Sequence, residues 1–251
     1  MQFTFGGQTI TINVATRAAL EQEVRDRFRA GRGFALATVN LDHLVKMRGS
    51  PAFTDAYAQQ DLVVADGRPI VWLSKLARRP VALMPGSDLI TPLCQWAAGE
   101  GAPVALVGST AQVLDTAAAA LAEQVPGLDI TLKIAPPQGF DPMGAEADAI
   151  LDRLNAAGIQ LCFLALGAPK QEQLAARGRA AAPATGFASI GAGLDFIGGG
   201  QRRAPRWMQR TGLEWLWRAL ANPLRLGPRY ARCAAILPGQ AGQALKLRRR
   251  D

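Results

Sequence analysis

The chain has 251 residues, 49% hydrophobic and 19% charged, which is enough apolar content for a packed core and too much for intrinsic disorder. Three cysteines, Cys94, Cys162 and Cys233, are too few and too scattered for a disulfide framework or a CxxC metal site, and the single histidine, His43, excludes any site built on two imidazoles. Net charge is +8, but residues 201–251 carry eleven Arg and one Lys against Glu214 and Asp251, so this fifth holds +10 and the first 200 residues hold −2.

The opening MQFTFGGQTI has neither a basic start nor a long apolar run, so it does not read as a secretory signal. No apolar stretch reaches the ~18 residues of a membrane span, and a cytoplasmic location is the expectation. Phe3 to Val14 alternates around Gly6-Gly7 and predicts a hairpin. Thr16 to Ala30 predicts an amphipathic helix, with Thr16 as N-cap and Gly31 as stop. Apolar runs then follow at Phe34–Val39, Leu62–Ala65, Val104–Val107, Ile130–Ile134, Leu161–Leu166 and Gly186–Ile190. Helical patterns separate them at Ser87–Ala98, Ala111–Gln124, Glu146–Ala156 and Gln171–Ala181. Such alternation predicts crossover units: an α/β fold with a mainly parallel, Rossmann-like sheet and helices on both faces. Three consecutive glycines, Gly198–Gly200, mark a boundary between an α/β domain, residues 1–198, and a short basic helical appendage, residues 199–251.

Ligands of open parallel sheets bind beyond the carboxyl ends of the strands. The residues there are Thr38-Val39-Asn40, Asp66-Gly67, Gly108-Ser109-Thr110, Gly167 to Glu172 and Gly191 to Asp195, a polar and glycine-rich set. Gly108-Ser109-Thr110 opens a helix and either offers free N–H groups to a phosphate or serves helix packing. It lacks the Walker ending, and no GxGxxG follows the first long strand, which removes the fingerprint that a nucleotide-sugar epimerase or dehydrogenase needs. Lys170 falls in a first helical turn, where the dipole disfavours a cation. It either meets an anion or a carboxylate partner, or points into solvent. Asp66 ends a buried run beside a permissive glycine, as a general base facing a cleft or as a cap for the helix after Pro69. Asn40 and His43 share a helical spacing that means little alone.

The cationic fifth holds Arg202-Arg203 and three of the five tryptophans, Trp207, Trp215 and Trp217. Arg forks such as Arg203 grip phosphates, and Trp with Arg suits an anionic headgroup surface. The same composition also suits nucleic acid, the competing reading. Arg218, Arg225 and Arg229 recur at seven and four, so one helical face carries all three if the helix survives Pro223 and Pro228.

Taken together, Thr38-Val39-Asn40, Val64-Ala65-Asp66-Gly67, Gly86-Ser87-Asp88-Leu89, Gly167-Ala168-Pro169-Lys170-Gln171-Glu172, Gly191 to Phe196, Arg203-Ala204-Pro205 and Gly212-Leu213-Glu214-Trp215 resemble the WecG/TagA/CpsF family, glycosyltransferase family 26. The resemblance covers roughly residues 34 to 230. It implies an inverting, peripheral membrane transferase at the inner face of the cytoplasmic membrane. Such an enzyme moves a sugar from a UDP-sugar to a polyprenyl-diphosphate-linked saccharide, without a metal held by a DxD motif and with no cofactor beyond the donor. No DxD occurs in this sequence. N-acetylmannosamine, its uronic acid and glucose are the sugars the family moves, and no residue here chooses among them or sets the oligomeric state.

Residue by residue, the resemblance implies that Asp66 is the catalytic base and that Thr38 and Asn40 are polar neighbours in the active site. Gln171 and Asp195 match the nucleotide pocket, and Arg218, Arg225 and Arg229 match appendage residues that hold diphosphate. One departure is plain: the family's Arg shortly before Gly-x-Asp-Leu is missing from Val81-Ala82-Leu83-Met84-Pro85, so the contact it makes is either lost or supplied elsewhere, by Arg78 or Arg79.

Overall fold

The computed structural model describes residues 1–200, 204–205, 207–208, 214–221 and 223–249. A short antiparallel hairpin, β1 (Gln2–Phe5) and β2 (Gln8–Thr11), turns at Gly6-Gly7, both glycines at positive φ. Helix α1 (Arg17–Arg29) follows, and the Thr16 hydroxyl accepts from the Ala19 N–H as its cap. The main sheet has six parallel strands, β3 (Phe34–Val39), β4 (Leu62–Ala65), β5 (Val104–Gly108), β6 (Ile130–Ile134), β7 (Leu161–Ala165) and β8 (Gly186–Ser189), in the order β4-β3-β8-β7-β5-β6. All five pairings are parallel, as continuous apolar runs demand when both faces are covered.

Helices α2 (Leu41–Gly49) and α3 (Pro51–Ala58) link β3 to β4, and α4 (Arg68–Leu76) and α5 (Gly86–Glu100) link β4 to β5. Next come α6 (Ala111–Gln124), α7 (Ala145–Ala156), α8 (Lys170–Ala181) and the short α9 (Gly193–Ile197). Alternate residues of each strand serve opposite faces. Phe34, Leu36, Leu106 and Phe163 pack with α1, α5 and α6. On the other face, Ala37, Val39 and Val63 pack with α2, α3 and α4, while Val107, Leu164 and Phe187 pack with α7 and α8.

Among the described residues two further helices follow, α10 (Glu214–Ala221) and α11 (Pro223–Arg248). Pro223 starts α11, where its missing N–H costs nothing, so Arg218 stands on a different helix from Arg225 and Arg229. The side chains of Arg218 and Arg225, on which a single face for all three depends, lie outside the described residues. The helix continues through Pro228 and Pro238 because packing holds it. Ile236, Ala244 and Leu247 enter the core beside α2 and α4. Arg229 meets Asp42 in the first turn of α2, and Gly239 lies against the Arg48 guanidinium in its last turn, so α11 runs alongside α2 in the same direction. The start of α11 therefore stands at the carboxyl end of the sheet, level with the first turn of α2.

Candidate active site

Asn40 ends β3 and organises one side of the carboxyl edge. Its Oδ1 accepts from the His43 N–H and caps α2, and its Nδ2 donates to Asp66 Oδ2 at 3.0 Å. Asp66 itself is half-buried, with its N–H donating to Val39 O. The helix after it begins at Arg68 behind Gly67 at φ +90. Thr38 is buried one residue before the end of β3, and its carbonyl accepts from the Tyr57 hydroxyl. Tyr57 in turn meets His43 Nδ1 at 2.9 Å. Burial, with Lys46 nearby, pushes the imidazole down to about 4, so His43 is a neutral scaffold group beneath Asn40.

The other side of the edge is built from β5, β7 and β8. Gly108 stands at φ +123, and a Cβ there would lie 2.4 Å from Ala165 O, so only glycine lets the strand turn this close to β7. Ser109 follows at φ +51, and its hydroxyl donates to Asp195 Oδ1 at 2.5 Å. Thr110 caps α6. Lys170 opens α8, and its Nζ donates to Phe140 O at 2.6 Å, drawing the loop after β6 over the edge. Between them lies a cleft of about 170 Å³ lined by Ser109, Pro136, Pro137, Phe140 and Lys170. It sits where the chain leaves β5 toward β6 but leaves β7 toward β8, a switch point in strand order.

Gln171 is only 2% exposed. Its Nε2 donates to Glu172 Oε1 at 2.8 Å, and its Oε1 accepts from the Gly191 N–H at 3.0 Å. The side chain therefore fixes the loop that carries Asp195. Glu172 is fully buried, with no hydrogen-bond partner for Oε2, and desolvation raises it to about 7.

The two sides are tied together by a chain of charges that periodicity does not reveal. Lys46 on α2 donates to Ala168 O, in the loop after β7, at 2.9 Å and pairs with Asp42 at 3.0 Å. Asp42 also pairs with Arg229 of α11 at 2.8 Å. Burial opposes the Asp42 charge, but Arg229 and Lys46 outweigh it and hold the carboxyl below its ordinary value. The spacing Asp42–Lys46 is the one signal in the sequence, an i,i+4 ion pair. Asn40, Asp66, Gly108, Lys170, Gln171, Asp195 and Arg229 thus gather on one edge of the sheet, with Thr38 just beneath it. Arg203 and the side chains of Arg218 and Arg225 lie outside the described residues.

An open parallel sheet whose acid, amide and cation side chains converge at its carboxyl edge is the architecture of a ligand-transforming α/β enzyme. The glycosyl transferase WecG/TagA/CpsF family model matches residues 7–250. The chain belongs to that family and is a glycosyltransferase of cell-surface polysaccharide synthesis.

Proposed function

We propose that the protein is an inverting hexosyltransferase that takes its sugar from a UDP-sugar and gives it to a polyprenyl-diphosphate-linked saccharide. The observation that carries this reading is the Asn40–Asp66 pair, a half-buried carboxylate held in a fixed direction at the end of β4. In the proposed reaction Asp66 removes the proton from an acceptor hydroxyl. That oxygen forms a bond to the anomeric carbon on the face opposite UDP, the bond from that carbon to the diphosphate oxygen breaks, and UDP leaves with the electron pair. The configuration inverts.

UDP gains charge as it leaves, and fixed donors answer that charge best. Lys170 uses one proton on Phe140 O and has two more to give. Ser109 lines the same cleft, its hydroxyl donating to Asp195 and its N–H to Ala165 O, which fixes the turn beside Lys170. Arg203, Arg218, Arg225 and Arg229 of the appendage, residues 199–251, would close from above. Arg229 is at hand beside Asp42, and its guanidinium can exchange that carboxylate for a diphosphate. Exposed Trp207, Leu220 and Leu224 with the basic tail support contact with an anionic membrane surface at its cytoplasmic face, where the lipid acceptor lies. Among the described residues no helix is long and apolar enough to cross a membrane.

A panel of UDP-sugars with a synthetic prenyl-diphosphate acceptor, scored by UDP release, tests the reading. One UDP-sugar should be consumed in the presence of acceptor, with EDTA tolerated. Absence of release with every donor, or release that requires an added divalent ion, overturns it.

A further inference from the structure

We propose that α4 and the loop after it, residues 68–83, form a second bilayer-contacting surface on the catalytic body, shaped for anionic lipid headgroups. From Gly67 to Ser87 the chain carries Arg68, Lys75, Arg78 and Arg79 and no acid, inside a 200-residue body whose net charge is −2. Arg68, Trp72 and Lys75 recur at four and three and so share one face of α4, while Ile70 and Leu73 on its other face are buried. Trp72 is 60% exposed, the large aromatic of a helix that otherwise hides its apolar groups. Leu83, 40% exposed, lies beside the open edge of β4, bridged to Ala65, one residue from Asp66.

Arg78 adds an independent sign. It follows the last turn of α4 at φ +57, a left-handed position where glycine is the usual choice and an arginine is strained. The Arg79 N–H closes back on Ser74 O, so the turn is fixed. The chain holds an exposed cation at a place where its backbone is costly. An indole ringed by cations matches the level of lipid headgroups, where Trp is favoured and each nearby Lys or Arg gains from an anionic leaflet. Helix α11 packs along α4, and Leu224 at its start is 92% exposed. The surface follows Asp66 directly in the chain, so a bilayer meeting it would lie beside the carboxylate that acts on a lipid-linked acceptor. This inference deepens the proposed function and rests on its membrane-bound acceptor.

The test is partitioning of the full chain onto vesicles of phosphatidylglycerol and phosphatidylcholine. The double variant Trp72→Ala/Lys75→Gln should partition at least about ten-fold less, since one charge alone is worth about five-fold at an anionic surface. Arg153→Gln, an equal loss of charge on α7, should change partitioning less than about two-fold. Unchanged melting and unchanged transfer to a short-chain soluble acceptor show that the double variant is folded. Equal partitioning of the double variant and the parent overturns the proposal, as does an equal loss in Arg153→Gln. Loss of self-association or of duplex DNA binding with vesicle binding intact overturns it too, in favour of a second copy or a nucleic acid. A protein that binds vesicles through Trp72 and transfers no sugar leaves this surface standing and removes the proposed reaction.

Discussion

Asn40 holds Asp66 with one end of its amide and caps α2 with the other, so a single side chain sets both the acid and the helix beside it. These two duties separate by substitution. Asn40→Asp keeps a good cap and places a second carboxylate about 3 Å from the first. At a pH where the pair keeps one proton, stability should fall by less than about 1 kcal/mol. The two carboxylates then share a proton, and the acid limb of the pH–rate profile moves to higher pH. A variant that melts early with an unmoved profile would show that the cap alone matters.

Asp66→Asn should cut turnover by at least ~10²-fold, the low end for a general base, and leave UDP affinity nearly unchanged. Asparagine still accepts from Asn40, so the fold is kept. Single-turnover UDP release beside UDP titration checks it, and comparable turnover in the variant removes Asp66 from the role.

Glu172 makes stability depend on pH. Its carboxyl sits at about 7 in the fold against an ordinary 4.5, so between those values the folded chain holds more protons than the unfolded one. The stabilisation is complete below about 4.5 and drains away as pH rises through about 7. Glu172→Gln keeps an acceptor for Gln171 and removes the titration. The melting temperature of the variant relative to the parent should therefore climb between roughly pH 5 and pH 8. His43 contributes with the opposite sign, but equally in both proteins, and cancels. A constant difference across that window refutes the reading.

Gly108→Ala should cost at least about 2 kcal/mol, from positive φ and from a Cβ pressed on Ala165 O. Chemical denaturation measures it. A neutral outcome would mean that β5 and β7 can separate at this end.

Arg229→Ala and Asp42→Ala, with their double variant, should show a coupling of about 1 kcal/mol, modest because the arginine is more than a third exposed. Faster proteolysis of α11 in either single variant would accompany it. Strict additivity would mean that apolar packing alone seats the helix.

Five of the six main strands are legible as apolar runs because a parallel strand covered on both faces has no polar side to interrupt it, whereas β6 at the sheet edge alternates, with Thr131 and Lys133 exposed. Asn40, Asp66 and Asp195 are legible as candidates because each follows such a run, and Thr38 because it is a polar residue near the end of one. Helices α2 to α4 escape periodicity: Leu41–Gly49 is short and carries Asp42, Lys46 and Arg48 on a mixed surface, and its start depends on Asn40. The inward turn of Gln171 is hidden because its partner Gly191 lies twenty residues away, across a strand order that no local pattern encodes. The Asp42–Arg229 pair spans almost the whole chain and needs the seating of α11 to be seen. Pro223, in contrast, is a local signal, and α11 starts there.

Among the described residues the last strand to be synthesised, Gly186–Ser189, seats in the middle of the sheet, between β3 and β7. A nascent chain leaving the ribosome therefore holds two unjoined half-sheets, one of two strands and one of three, each with an apolar edge awaiting the same four residues. Only Gly186 tolerates the Phe34 ring where the halves meet. Translation that stalls before this point would release a sticky, chaperone-dependent intermediate, and catalytic competence would arrive abruptly, when the keystone strand slides home.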